Sequence, residues 1–173
     1  FFFSSRRRHT RWLRSLVGSE MCIRDRREIA ESTGIFEKID FLDDNNPIAV
    51  GKTDDFQKFR DRYECAVVAI GNSELRLKLI NELKDAGYKV PALVHERAYI
   101  SPSAVISDGC FIEPMAVVNT DVRLETGCII SAGAVINHNA VIEQGCHINC
   151  GSVVGARKIV PSCTVTSIGT ILE

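Results

Sequence analysis

Residues 128–148 read "CIISAGAVINHNAVIEQGCHI". Branched aliphatics recur there every six residues, at Ile130, Ile136, Ile142 and Ile148. A helix repeats its apolar face roughly every 3.6 residues and a half-buried strand about every two, so neither produces this period. Outward in both directions the same register holds Ile100, Ile106, Ile112, Val118, Leu124, Val154 and Val160, and it weakens only at Thr166. Four residues after most of these comes a small side chain: Ala104, Cys110, Ala116, Cys128, Ala134, Ala140, Cys146 or Ser152. Glycine recurs one place earlier, at Gly109, Gly127, Gly133, Gly145 and Gly151. A coil of three short strands joined by tight turns accounts for all three recurrences, which predicts a parallel β-helix. The aliphatic residue and the small residue two places before it face inward, the residue between them faces outward, and the glycine turns the corner.

Three hexapeptides make a coil, so residues 18 apart stack. Cys110, Cys128 and Cys146 then share one interior column, where cysteine acts as a small hydrophobe and not as a metal ligand. The outward columns are Val117, Val135, Val153 and Ile171; Phe111, Ile129, His147 and Val165; and Val105, Arg123, Val141 and Ile159. The first is wholly apolar, which predicts an interface, and closed symmetry makes a homotrimer the expected assembly. His138 lies at a corner and His147 on an outward face half a coil later. The two histidines are therefore expected on opposite sides of one chain, able to meet only across a subunit boundary.

Residues 27–96 read differently. "REIAEST" before Gly34 is a helix end and "KIDFLDD" a strand entering an acidic loop; "TDDFQKFRD" is a short capped helix and "CAVVAIG" a buried strand. "NSELRLKLINELKDAG" is an amphipathic helix capped by Asn72 or Ser73 and stopped at Gly87, and "YKVPALV" a further strand. This alternation predicts a small parallel sheet flanked by helices. The fold class expected for the chain is an α/β N-terminal remnant of a Rossmann-like domain over 27–96, followed by a left-handed parallel β-helix of hexapeptide repeats over 97–173. Ligands of open α/β sheets bind beyond strand C-termini, which marks Asp43, Asp44, Gly71 and Asn72 as candidate substrate contacts. For the last two, helix capping is the competing reading.

Composition narrows the class. The 173 residues are 45 % hydrophobic with a formal net charge of −1. Eight arginines face only Glu20 and Asp25 within residues 1–27, leaving 13 basic against 20 acidic residues beyond, a net of −7 that argues against nucleic acid as partner. No apolar run has the length of a membrane span, and the expected setting is soluble and cytoplasmic, with no membrane partner. Seven cysteines without a secretion signal argue against a disulfide framework. Residues 1–26, "FFFSSRRRHTRWLRSLVGSEMCIRDR", resemble translated sequencing adapter more than a transit peptide or basic arm, and are expected to be non-native and poorly packed, with Trp12 and Leu16 outside any core.

The histidine spacing in "INHNAVIEQGCHI", within this hexapeptide frame and with "REIAE", "FLDD" and "VVAIGN" upstream, resembles the NeuD/PglD family, sugar O- and N-acetyltransferases of the sialic-acid and bacillosamine pathways. The resemblance covers roughly residues 27–173. It implies acetyl-CoA as co-substrate, a sugar or nucleotide-sugar acceptor and a site shared between subunits of a trimer. It casts His138 as general base, with Asn139 beside it, and His147 near the thioester. An oxyanion donor is expected in the backbone N–H groups around Gly155 and Ala156. A base is chemically required, because an attacking amine or hydroxyl must lose a proton and imidazole titrates near neutrality.

The sequence departs from the family at several points. Asn139 stands where an acidic residue is common, and Ser131, a candidate substrate contact, stands where some members have asparagine. The glycine-rich loop expected before "REIAE" is missing, and a further coil is expected beyond Glu173, so the chain reads as an incomplete copy of an active enzyme. Two other functions compete. A γ-type carbonic anhydrase needs three histidines on zinc, and the repeat region holds only His138 and His147, so no metal is expected. A non-catalytic trimeric scaffold would bind nucleotide sugar without transferring acetyl.

Overall fold

The computed structural model describes residues 20–34, 36 and 38–173. Residues 1–19, with Trp12 and Leu16 and the expectation placed on them, lie outside the described residues. The chain divides into two compact units, 1–91 and 92–173. No helix among the described residues is long and apolar enough to cross a membrane.

In the first unit, helix α1 (Glu20–Ser32) runs through the expected boundary at 26/27 and ends before Gly34, whose φ of 61° is the left-handed stop that glycine adopts without strain. "TDDFQKFRD" forms a 3₁₀ helix, Thr53–Arg62. Helix α2 (Ser73–Asp85) begins where Asn72 accepts the N–H of Leu75 at 2.9 Å. It closes at Gly87, whose N–H donates to the Lys84 carbonyl. The segment 65–70 is buried throughout and packs with Leu42, Ile80, Leu83 and Val90. Among the described residues it forms one isolated parallel bridge, Cys65 to Lys89, and "KIDFLDD" likewise shows no ladder there. The expected "YKVPALV" strand is divided: Lys89 bridges to Cys65 in the first unit, whereas Leu93–Val94 is already a rung of the second.

The second unit is a parallel β-helix of two-residue strands on three faces, in the register the sequence predicts. The first face stacks Leu93–Val94, Phe111–Ile112, Ile129–Ile130 and His147–Ile148. The second stacks Tyr99–Ile100, Val117–Val118, Val135–Ile136, Val153–Val154 and Ile171–Leu172. The third stacks Val105–Ile106, Arg123–Leu124, Val141–Ile142 and Ile159–Val160. The inward aliphatics from Ile112 to Val160 are essentially unexposed and form one core with Ala116, Ala134 and Ala140. The three predicted cysteines are wholly buried in that core. Each thiol donates to a turn carbonyl: Cys110 to Glu125, Cys128 to Glu143 and Cys146 to Pro161, at 3.0–3.1 Å. The buried sulfur is thereby satisfied without leaving its column.

The outward columns are not equally wet. Phe111 and Ile129 are buried, so apolar exposure on the first face is confined to Val165. On the second face Val117, Val135 and Val153 are half-buried while Tyr99 and Ile171 are 56 % and 67 % exposed.

Candidate functional site

From Gly109 onward each corner is a four-residue turn with positive φ at its third residue, the requirement of a type II turn, and most are closed by the N–H of the fourth residue on the carbonyl of the first. Two corners meet it mostly with glycine: Gly109, Gly127 and Gly145 at one, Gly133, Gly151 and Gly169 at the other. The corner between the second and third faces meets it with Asp121, Asn139 and Arg157, at φ of 57°, 61° and 61°. Asparagine and aspartate tolerate this conformation best among side-chain-bearing residues. His138 occupies the second turn position and is exposed.

The corners differ again in the N–H of the second turn residue, which a side chain accepts at four turns of the other two corners. Glu113 takes that of Ala132, Glu125 that of Gln144, Glu143 that of Ser162 and Asn149 that of Cys150, at 2.8–3.0 Å. At the histidine corner the first turn residues are Asn119 and Asn137, whose amides bond along the coil axis: Asn119 reaches Asn137 Oδ1 at 3.5 Å, and Asn137 donates to the Val154 carbonyl at 3.0 Å. Among the described residues no side chain accepts the N–H of His138 or Ala156. The signal was in the sequence, in asparagine replacing glutamate after the aliphatic at 119 and 137, but its meaning needs the turn geometry.

His138 Nδ1 lies 3.0 Å from Asn139 Oδ1. An amide oxygen only accepts, so Nδ1 carries the proton and the lone pair sits on Nε2. Ala156 takes the same turn position one coil above. The expected donor pair there is corrected: the N–H of Gly155 donates to the Leu172 carbonyl at 2.7 Å, so only Ala156 offers a free donor. Gly155 serves sterically, since a Cβ there would stand 3.0 Å from the Leu172 oxygen.

His147 is half-buried on the first face, opposite the corner that carries His138. Its Nε2 is 3.0 Å from the hydroxyl of Ser131, itself only 3 % exposed. Two of the residues singled out in the sequence are thus brought together here, and two others, His138 and Asn139, at the corner.

In the first unit the marked residues have structural partners. Asp44 accepts both the N–H and the hydroxyl of Thr53, at 3.1 and 3.0 Å, and so caps the 3₁₀ helix. Asp43 Oδ1 accepts the N–H of Asn45 at 2.8 Å. Asn72 caps α2, and exposed Gly71 has open space where a side chain would stand. Pattern reading missed Arg76, wholly buried within α2, whose guanidinium donates to the carbonyls of Ile70 and Gly71 at 2.7 and 3.0 Å and so fixes the loop before the helix. Among the described residues no three His, Cys, Asp or Glu side chains converge to hold a metal ion.

Residues 26–83 match the PglD N-terminal domain and residues 103–138 the bacterial transferase hexapeptide (six repeats). The acetyltransferase domain of PglB from Neisseria gonorrhoeae, solved with acetyl coenzyme A, superposes with a TM-score of 0.66 at 22 % identity, covering 91 % of this chain and 83 % of that one. PerB from Caulobacter crescentus, solved with CoA and GDP-perosamine, gives a TM-score of 0.63 at 17 % identity over 92 % and 91 % of the two chains. WeeI from Acinetobacter baumannii gives 0.53 at 17 % identity over 94 % and 88 %. The architecture is the left-handed β-helix of hexapeptide-repeat acetyltransferases. A PglD N-terminal domain joined to transferase hexapeptides on that fold makes this chain a member of the NeuD/PglD family.

Proposed function

We propose that the protein transfers the acetyl group of acetyl-CoA to an amine or hydroxyl of a sugar or nucleotide sugar, with His138 as general base. One observation carries this reading: an exposed imidazole held with Nε2 free, one coil below an unaccepted backbone N–H. The acceptor's nitrogen or oxygen attacks the thioester carbonyl as Nε2 takes its proton. The N–H of Ala156 donates to the tetrahedral oxyanion. Collapse breaks the carbon–sulfur bond, and His138 returns the proton to the departing thiolate. No covalent enzyme intermediate is needed.

In this reading the apolar column of the second face is the core of a homotrimer interface. His147, steadied by Ser131, reaches the thioester bound at a neighbour's His138. Within the first unit Asp43, Asp44, Gly71 and Asn72 are the candidate sugar or nucleotide contacts, with the side chains of Asp43, Asp44 and Asn72 already occupied. The PglB domain solved with acetyl coenzyme A and PerB solved with CoA and GDP-perosamine support the choice of substrates.

The test follows thiol release from acetyl-CoA against a panel of amino sugars and nucleotide sugars, for the wild type and His138→Ala. Acceptor-dependent release that His138→Ala abolishes supports the reading. Binding of nucleotide sugar without transfer favours the scaffold.

A further inference from the structure

The third turn position of the histidine corner holds three side chains in left-handed backbone on successive coils, where the other corners use chiefly glycine. Asp121 and Asn139 can offset that conformation through short local hydrogen bonds; an arginine has no such compensation, as is also true of Met115 and Cys163 at the other two corners. Arg157 is nevertheless held there, its N–H donating to the His138 carbonyl at 3.0 Å. It stands in register above Asn139, about 4.8 Å away, the spacing of adjacent rungs. The residue is exposed, and among the described residues its guanidinium has no carboxylate or carbonyl acceptor. The adjoining Lys158 is engaged with the Glu173 carbonyl, and Asp121 lies two rungs below Arg157. The corner therefore carries a graded row of aspartate, asparagine and arginine, with the proposed base beside the middle member.

We infer that Arg157 recognises an anionic group on the acceptor sugar, a phosphate or a carboxylate close to the acetylated position, and so selects charged over neutral sugars. This inference rests on the acetyl-transfer reading, which places the reacting sugar atom at His138. A planar guanidinium offers paired donors that match carboxylate or phosphate oxygens. Its position beside the proton acceptor assigns the anion to the acceptor, because the coenzyme's phosphates lie at the far end of its pantetheine arm from the thioester. Asp121, on the opposite side of the base, repels the same anion and favours a sugar ammonium, so the row orients an acceptor that bears both charges.

The test is calorimetric binding to the full chain, wild type, Arg157→Gln and Arg157→Lys. The probes are GDP-perosamine, free perosamine, N-acetylneuraminic acid and acetyl-CoA. Arg157→Gln is expected to weaken the charged sugar by about tenfold, with Arg157→Lys intermediate, while free perosamine and acetyl-CoA stay within about twofold. Loss with GDP-perosamine identifies a phosphate, and loss with N-acetylneuraminic acid a carboxylate. The inference is overturned if Arg157→Gln binds both charged sugars as the wild type does, if acetyl-CoA or free perosamine weakens equally, or if neither charged sugar binds the wild type. Acetyl transfer to a neutral sugar in that last case would leave the proposed function standing; charge-dependent sugar binding without any transfer would remove the function and keep the recognition.

Discussion

The Nδ1 of His138 and the amide oxygen of Asn139 are 3.0 Å apart, and the backbone that brings them together is the left-handed turn at Asn139, φ 61°. One residue thus supplies both the corner and the acceptor that fixes the ring. Asn139→Gly keeps the corner, because glycine adopts positive φ freely, and removes only the acceptor. It is expected to lower kcat about tenfold or more with little change in thermal stability. Asn139→Asp, which still accepts from Nδ1, is expected to retain most of the turnover. Steady-state kinetics of the two variants, set beside their melting curves, separate orientation of the base from maintenance of the fold.

The cysteines divide by environment. Burial, and secondarily Glu64, pushes the Cys65 thiol up to about 12. The neighbouring thiols of Cys110 and Cys146, then burial, push the Cys128 thiol up as well. A group whose folded value exceeds its unfolded value of 9.0 contributes stability that is complete below pH 9 and is lost as pH rises toward 12. Urea midpoints are expected to fall steeply between pH 9 and about 11, and less so in Cys65→Ala. Maleimide at neutral pH is expected to modify half-buried Cys150 and Cys163 well before Cys65, Cys110, Cys128 or Cys146. Equal labelling of the interior column in folded protein would contradict its stacking.

Two glycine substitutions probe different constraints. At Gly133 a Cβ meets nothing within 4 Å, so Gly133→Ala costs only the left-handed backbone at φ 69°, about 1–2 kcal/mol. At Gly155 φ is unconstrained, but the added Cβ lies 3.0 Å from the Leu172 oxygen and 3.3 Å from the Glu173 Cα. Gly155→Ala is therefore expected to displace Ile171–Leu172 and to raise amide exchange there more than elsewhere. A uniform rise over all coils would show that Gly155 does not act through that contact.

The β-helix was legible because a solenoid contacts itself at fixed sequence separation, so a period of six in Ile100 to Val160 encodes strands, faces and register together. The first unit was less so: 65–70 is buried as its apolar run implies, yet whether such a run pairs into a ladder depends on partners remote in sequence. At the site, the corner placement of His138 was readable from the spacing. The free N–H of Ala156 and the engaged one of Gly155 were not, because they depend on which turn position each residue takes and on what lies one coil away. The same holds for Ser131 and His147, sixteen residues apart and joined at 3.0 Å.

His138 stands at a corner between the second and third faces, and His147 on the first face, across the coil's interior. If both serve one reaction, they must come from different subunits. His138→Ala is expected to lower turnover by about 10² to 10⁴, the usual worth of a general base. His147→Ala, like Ser131→Ala to a smaller extent, is expected to raise the KM for acetyl-CoA at least as much as it lowers kcat. Co-refolded mixtures of the two histidine variants then contain interfaces at which wild-type His138 meets wild-type His147, and these should regain activity that neither parent has. Native mass spectrometry tests whether mixed trimers form, and thiol release measures the activity. Mixed trimers as inactive as their parents would show that the two histidines do not share a site.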